Sequence, residues 1–238
     1  MSSRLADQDQ RQRIALLAAI ALASIILWQT RLGSLLLYPF TILATWFHEM
    51  GHGLVAMLAG RGFERLQIFA DGSGVALSMR PADGYGLIDA LVAAGGPFGP
   101  GIAGALLIIA SRSPAATRVA LTVLGAALIL STLIWVRSLT GWLLLPPLGI
   151  AIIALAQLGT APWQRLAIQL LGVQACISVW KQFDYLFSPG VSVGGQRQRS
   201  DTAAIADALL LPYWVWGAAI SVAILALLWV SFRFAFRR

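Results

Sequence analysis

Seven apolar runs punctuate the chain, at residues 14–28, 35–59, 87–110, 119–136, 139–158, 162–180 and 212–232. A helix needs about 20 apolar residues to cross the hydrocarbon core of a bilayer. Inside that core every backbone N–H and C=O must find its partner within the protein, which leaves helices and closed barrels as the only spanning structures. Runs this long and this continuous are helical, so the expected fold is an all-α polytopic membrane protein with about six to seven transmembrane helices. Composition agrees: 58% of residues are hydrophobic and 11% charged, where soluble chains carry about 25% charged residues. The formal net charge of +7 does not point to nucleic acid. The basic residues sit at the ends of apolar runs, as interfacial anchors and topology signals do, and no basic stripe with interleaved aromatics exists.

The first run follows a polar, basic leader containing Arg4, Arg11 and Arg13. Its apolar character continues past the small-residue triplet Ala21–Leu22–Ala23 to Trp28, which favours an uncleaved signal anchor over a cleaved signal peptide. The chain then reads as one membrane-embedded domain, 1–238: an anchor helix within 1–33, a core over 34–216, and a last helix with a basic tail over 212–238. Cys176 is the only cysteine, so no intrachain disulfide is available.

The second run contains His48–Glu49–Met50–Gly51–His52, an H-E-x-x-H. On a helix, residues four apart share a face, about 5–6 Å between Cβ atoms, so His48 and His52 can hold one metal ion. Zinc favours imidazole nitrogen, and a catalytic zinc takes about three protein ligands and a water. Glu49 then stands as general base beside that water. These are the only two histidines of the chain. The plainer reading, two core histidines and a buried carboxyl, would leave costly groups in lipid without partners.

Other stretches are less specific. Leu66–Ala70 and Val75–Met79 flank an Asp71–Gly72 turn and read as a β-hairpin between the second and third spans. It is either a structural loop or an edge strand that pairs with an extended peptide. Gly95, Gly96, Pro97 and Gly99 lie in the third run. The prolines Pro97 and Pro100 should disturb the helix ladder. The stretch is either a kinked, closely packed helix or broken backbone that faces the metal and contacts substrate. Residues 188–200 read as a flexible Gly/Ser/Gln loop, and Asp201 as the N-cap of a helix beginning near Thr202.

An H-E-x-x-H inside a hydrophobic helix resembles the site-2 protease superfamily of intramembrane zinc metallopeptidases, in its short bacterial branch without a PDZ domain. The stretches 93–101, Phe183–Asp184–Tyr185 and Arg199–Ser200–Asp201 fit that branch, which also has strands in the 66–79 interval. The resemblance implies one Zn²⁺ per chain, a bilayer setting in a bacterial cell membrane, and membrane-spanning or membrane-anchored peptide substrates. It also implies peptide-bond hydrolysis with Glu49 as base. A membrane adaptor that retains the metal site is the alternative. Better-known members carry an Asn-containing motif in a later helix, and this chain has no Asn. With both histidines used and no useful cysteine left, the third ligand must be an acid. Asp184, set among Phe183, Tyr185 and Phe187, matches the branch's recurrent Asp and is the first candidate. Asp201 is the runner-up, and Asp89 follows. Gly95, Gly96, Pro97 and Gly99 are candidate substrate contacts.

Overall fold

The computed structural model describes residues 15, 16, 18–79, 86–181 and 183–236. The polar leader 1–13, Asp83 and the final Arg237–Arg238 lie outside the described residues. The chain runs through α1 (Ala18–Trp28), α2 (Arg31–Leu36) and α3 (Tyr38–Leu58) into a hairpin of β1 (Phe63–Ile68) and β2 (Gly74–Ser78). Four long helices follow: α4 (Leu87–Ala110), α5 (Pro114–Ile134), α6 (Leu139–Leu158) and α7 (Ala161–Lys181). After the one-turn α8 (Phe183–Leu186) come a second hairpin, β3 (Gly190–Val193) and β4 (Gln196–Arg199), then α9 (Asp201–Ala208) and α10 (Tyr213–Phe236).

A helix lies in each of the seven apolar runs. Among the described residues, four of them (α4, α5, α6 and α10) are long and apolar enough to cross a membrane. Helices α3 and α7 have the length, at 21 residues each, but bury polar groups: His48 and Glu49 in α3, and Gln164, Gln169, Gln174 and Ser178 in α7.

Local chemistry sets the element boundaries. Ser113 caps α5 by accepting from the Ala116 amide at 3.1 Å, with Pro114 at the first helical position, where its missing N–H costs nothing. Helix α4 does not break at Pro97 or Pro100; it is continuous over its 24 residues. Prolines are tolerated this way in a bundle whose neighbouring groups re-satisfy the freed carbonyls. The glycines of α4 serve packing. A Cβ on Gly51 of α3 would come within 2.1 Å of the Gly95 carbonyl oxygen, and one on Gly99 within 2.2 Å of the Phe47 oxygen. Helices α3 and α4 thus meet backbone to backbone, as small-residue interfaces allow.

The first hairpin forms as its Asp-Gly signal predicts, two to three residues earlier in its first strand. Leu66 pairs with Ala76 and Ile68 with Gly74. Asp71 closes the turn by accepting from the Ser73 amide at 2.9 Å and the Ser73 hydroxyl at 2.6 Å. The outer edge of β1 is taken by the α5–α6 connection: the Leu66 amide donates to the Trp135 oxygen, and the Arg137 amide to the Leu66 oxygen, each at 2.8 Å. The Ile68 amide adds a bond to Ser138 Oγ at 2.9 Å. The outer edge of β2 has no such strand partner among the described residues.

Residues 188–200 are not the loop that their composition predicts. Gly194 (φ +55°) and Gly195 (φ +79°) supply the two positive φ values of a type I′ turn, and β3 and β4 pair from Gly190–Arg199 to Val193–Gln196. The Gly194 amide donates to Ser73 Oγ at 3.0 Å, so the tips of the two hairpins touch.

Candidate metal centre

Helix α3 presents His48 and His52 on one face, with ring centroids 4.8 Å apart. Across from them is Asp201, the first residue of α9. Its Oδ2 lies 3.0 Å from His48 Nε2 and its Oδ1 3.3 Å from His52 Nε2. One ligand atom from each of the three residues falls within 4.8 Å of the others. Ser200, not Asp201, caps the helix, accepting from the Ala203 amide at 3.2 Å. That corrects the capping role expected for Asp201 and leaves its carboxylate free to face the histidines.

Three observations bear on whether these residues suit a metal. His52 Nδ1 is 2.7 Å from the Val92 carbonyl oxygen. It must donate to an oxygen that can only accept, so in the neutral ring the lone pair is on Nε2, which faces Asp201. Fixing a ring through its far nitrogen is the usual support for a metal-binding imidazole. Asp201 Oδ2 is buried without a hydrogen-bond partner among the described residues. Gly96 of α4 borders the Nε2 atoms: a Cβ there would come within 2.2 Å of His52 Nε2 and 2.6 Å of His48 Nε2. Two imidazole nitrogens and a carboxylate form a zinc-type donor set, and the residues fit that ion.

Glu49 is 5% exposed and packs against β2. A Cβ on Gly74 would sit 2.9 Å from Glu49 Oε1. Tyr185 of α8 stands edge-on to His48, centroids 5.9 Å apart, and its hydroxyl accepts from the Asp201 amide at 2.9 Å. A cavity of about 450 Å³ opens at this point. Its floor carries His48, Glu49, His52 and Asp201; one wall is β2 from Gly74 to Ser78, and another is the second hairpin through Val191, Val193 and Gln198.

The chain matches the family model Peptidase M50B-like over residues 17–231. It belongs to that family. Membership places it in the site-2 protease superfamily, as the H-E-x-x-H resemblance implies. No curated protein and no solved structure matches the chain.

The remaining expected site residues fall outside the centre. Asp184, the first candidate for third ligand, is exposed on α8 and is not in the His48–His52–Asp201 group. Helix α7 stops at Lys181, and the buried side chain of the following turn is Leu186. Asp89 is buried in an ion pair with Arg61 Nη1 and accepts from the Gly86 amide at 3.1 Å, which ties down the start of α4. Gly95 and Gly99 abut α3 and Pro97 is buried; of the three glycines, only Gly96 borders the histidines. Sequence reasoning missed Tyr185 and the Val92 carbonyl as parts of the histidine surroundings; Gly96 was among its candidates, as a substrate contact. Ser200 ahead of Asp201 was the available signal: a serine is a better cap than an aspartate already inside the helix.

Proposed function

We propose that the chain is an intramembrane zinc endopeptidase that binds one Zn²⁺ through His48, His52 and Asp201 and uses Glu49 as general base. The carrying observation is the convergence of two Nε2 atoms and one carboxylate at Gly96, with Glu49 on the same helix. Zinc at such a site polarises a carbonyl and lowers the pKa of bound water to about 7. The chain's own residues supply the rest. The Val92 carbonyl holds His52 in the required tautomer. Glu49 takes a proton from the attacking water and hands it to the leaving amine nitrogen, a role worth about 10²–10⁴-fold in rate.

A transmembrane substrate hides its peptide bonds in its own helix and must unwind before hydrolysis. The open edge of β2 beside Glu49 provides an alternative set of backbone partners, so a locally extended segment can add to it as a strand. This reading places six or seven spans in a bacterial cell membrane, with membrane-spanning or membrane-anchored peptides as substrates.

Elemental analysis of the purified protein tests the metal, and cleavage by Glu49→Gln tests the chemistry. About one zinc per chain in wild type and none in the His48→Ala, His52→Ala double variant supports the site. Cleavage undiminished in Glu49→Gln refutes the role of Glu49 and returns the adaptor alternative.

A further inference from the structure

A second cavity, of about 380 Å³, lies at the end of the bundle where α5 and α7 begin, lined by Leu16, Pro114, Pro162, Arg165, Leu166 and Gln169 among others. Ala161, Arg165 and Gln169 also line it; spaced four apart, they share one face of α7. The walls are otherwise mostly apolar. Gln169 is only 3% exposed, yet its side-chain amide makes no hydrogen bond among the described residues. The amide is not sealed in protein but opens onto the cavity, where its NH2 group can donate to an occupant.

Charge points the same way. Between Asp89 and Asp184 the sequence contains no acidic residue. The described charged side chains at this end are Arg112, Arg118, Arg165 and Arg233, and three are engaged elsewhere. Arg112 lies over the Phe234 ring at 4.8 Å and Arg233 over Trp229 at 4.7 Å. Arg118 donates to the Ala156 oxygen at 3.0 Å. Arg165 has no ion pair among the described residues and borders the cavity. The first turn of α7, with its positive dipole end, lies beside it. Trp163, 63% exposed in that turn, marks the depth where aromatic side chains meet headgroups.

We propose that this cavity binds an anionic phospholipid, the phosphodiester held by Arg165 and Gln169 and an acyl chain laid along Leu16, Leu166 and the two prolines. An uncharged phosphate-free occupant would leave Arg165 unanswered, and a free phosphate would leave the apolar walls bare. The site is independent of the metal centre and of the activity proposed for it.

The test is native mass spectrometry of the full chain in detergent, titrated with phosphatidylglycerol, phosphatidylcholine or inorganic phosphate. Wild type should prefer phosphatidylglycerol to phosphatidylcholine by about fivefold, the worth of one basic residue near an anionic headgroup. Arg165→Ala should erase that preference. Gln169→Leu, which keeps the volume and removes the donor, should weaken both lipids by about threefold, as loss of a modest hydrogen bond does. Arg233→Ala, at the same end but outside the cavity, should change nothing. Equal binding of the two lipids by wild type overturns the proposal. So does an Arg233→Ala effect equal to that of Arg165→Ala, or displacement of phosphatidylglycerol by inorganic phosphate. If Arg165→Ala does not fold, an unchanged Gln169→Leu variant overturns it alone.

Discussion

The helix pairs α3–α4 and α5–α6 both meet through glycine. In α3–α4, Gly51 and Gly95 bring the backbones together; in α5–α6, a Cβ on Gly125 would come within 2.6 Å of the Gly149 oxygen. The device is the same, but what lies beside it differs. Around Gly125 the buried neighbours are Leu121, Leu124, Leu128 and Leu145, and Trp46 Nε1 reaches over to donate to Ser131 Oγ at 2.9 Å. Beside Gly51 on α3 are His48 and Glu49, both 8% exposed or less. Close backbone approach is therefore a packing solution in one pair. In the other it also sets how far a polar constellation stands from the wall that confines it.

The sharpest way to break that comparison is Glu49→Gln. The proposed function requires turnover to fall by about 10²-fold or more with zinc content kept, and a peptidase assay beside elemental analysis reads both. Next in size is the third ligand. Asp201→Ala should cost more than about 100-fold in zinc affinity, beyond the usual effect of a supporting residue, while Asp184→Ala should leave affinity within about twofold. Zinc lost with Asp184 and kept without Asp201 would reverse the assignment.

Alanine at the glycines separates chemistry from packing. Gly96→Ala places a methyl group against both Nε2 atoms and should abolish zinc binding. Gly125→Ala should lower thermal stability, by about 1–3 kcal/mol as overpacking does, without affecting metal. Equal zinc loss in both would mean that global packing, not the local wall, controls the site.

The smallest effect expected concerns the first hairpin. Bonds from the Ser73 hydroxyl and amide hold the Asp71 carboxyl below its ordinary value. A group with a depressed folded pKa contributes stability above its unfolded pKa and loses it as pH falls through the folded one. Asp71→Asn should therefore be slightly less stable at neutral pH, by about 2 °C in midpoint, and the gap should close in acid. A gap independent of pH would assign the effect to hydrogen bonding alone.

Much of this architecture was legible because its signals are local. Apolar run length marks helices, Asp71–Gly72 marks a turn, and His48–Glu49–His52 sits within five residues. What was not legible depends on where the chain returns. Asp184 looked favourable from its aromatic neighbours, but Leu186 claims the buried side of that turn. Asp201 reaches the histidines only because β3 and β4 fold what reads as a loop into a hairpin. Those strands are polar Gln196–Arg199 against Gly190–Val193, with no shared alternation, so only Gly194–Gly195 betrayed them. Pro97 and Pro100 left a closely packed helix and a broken backbone both open, and the continuous α4 packed on α3 through Gly95 and Gly99 favours the first.

The paired and unpaired edges of the first hairpin have a consequence for how the protein coexists with its neighbours in a crowded membrane. A bare strand edge is a template for association with any chain that offers another, and proteins ordinarily blunt such edges with charge or cover. Here β1 is closed by the α5–α6 connection, and β2 turns its edge into a cavity walled by the second hairpin. Stickiness that would otherwise invite fibres is kept indoors, available only to a segment that enters beside Glu49.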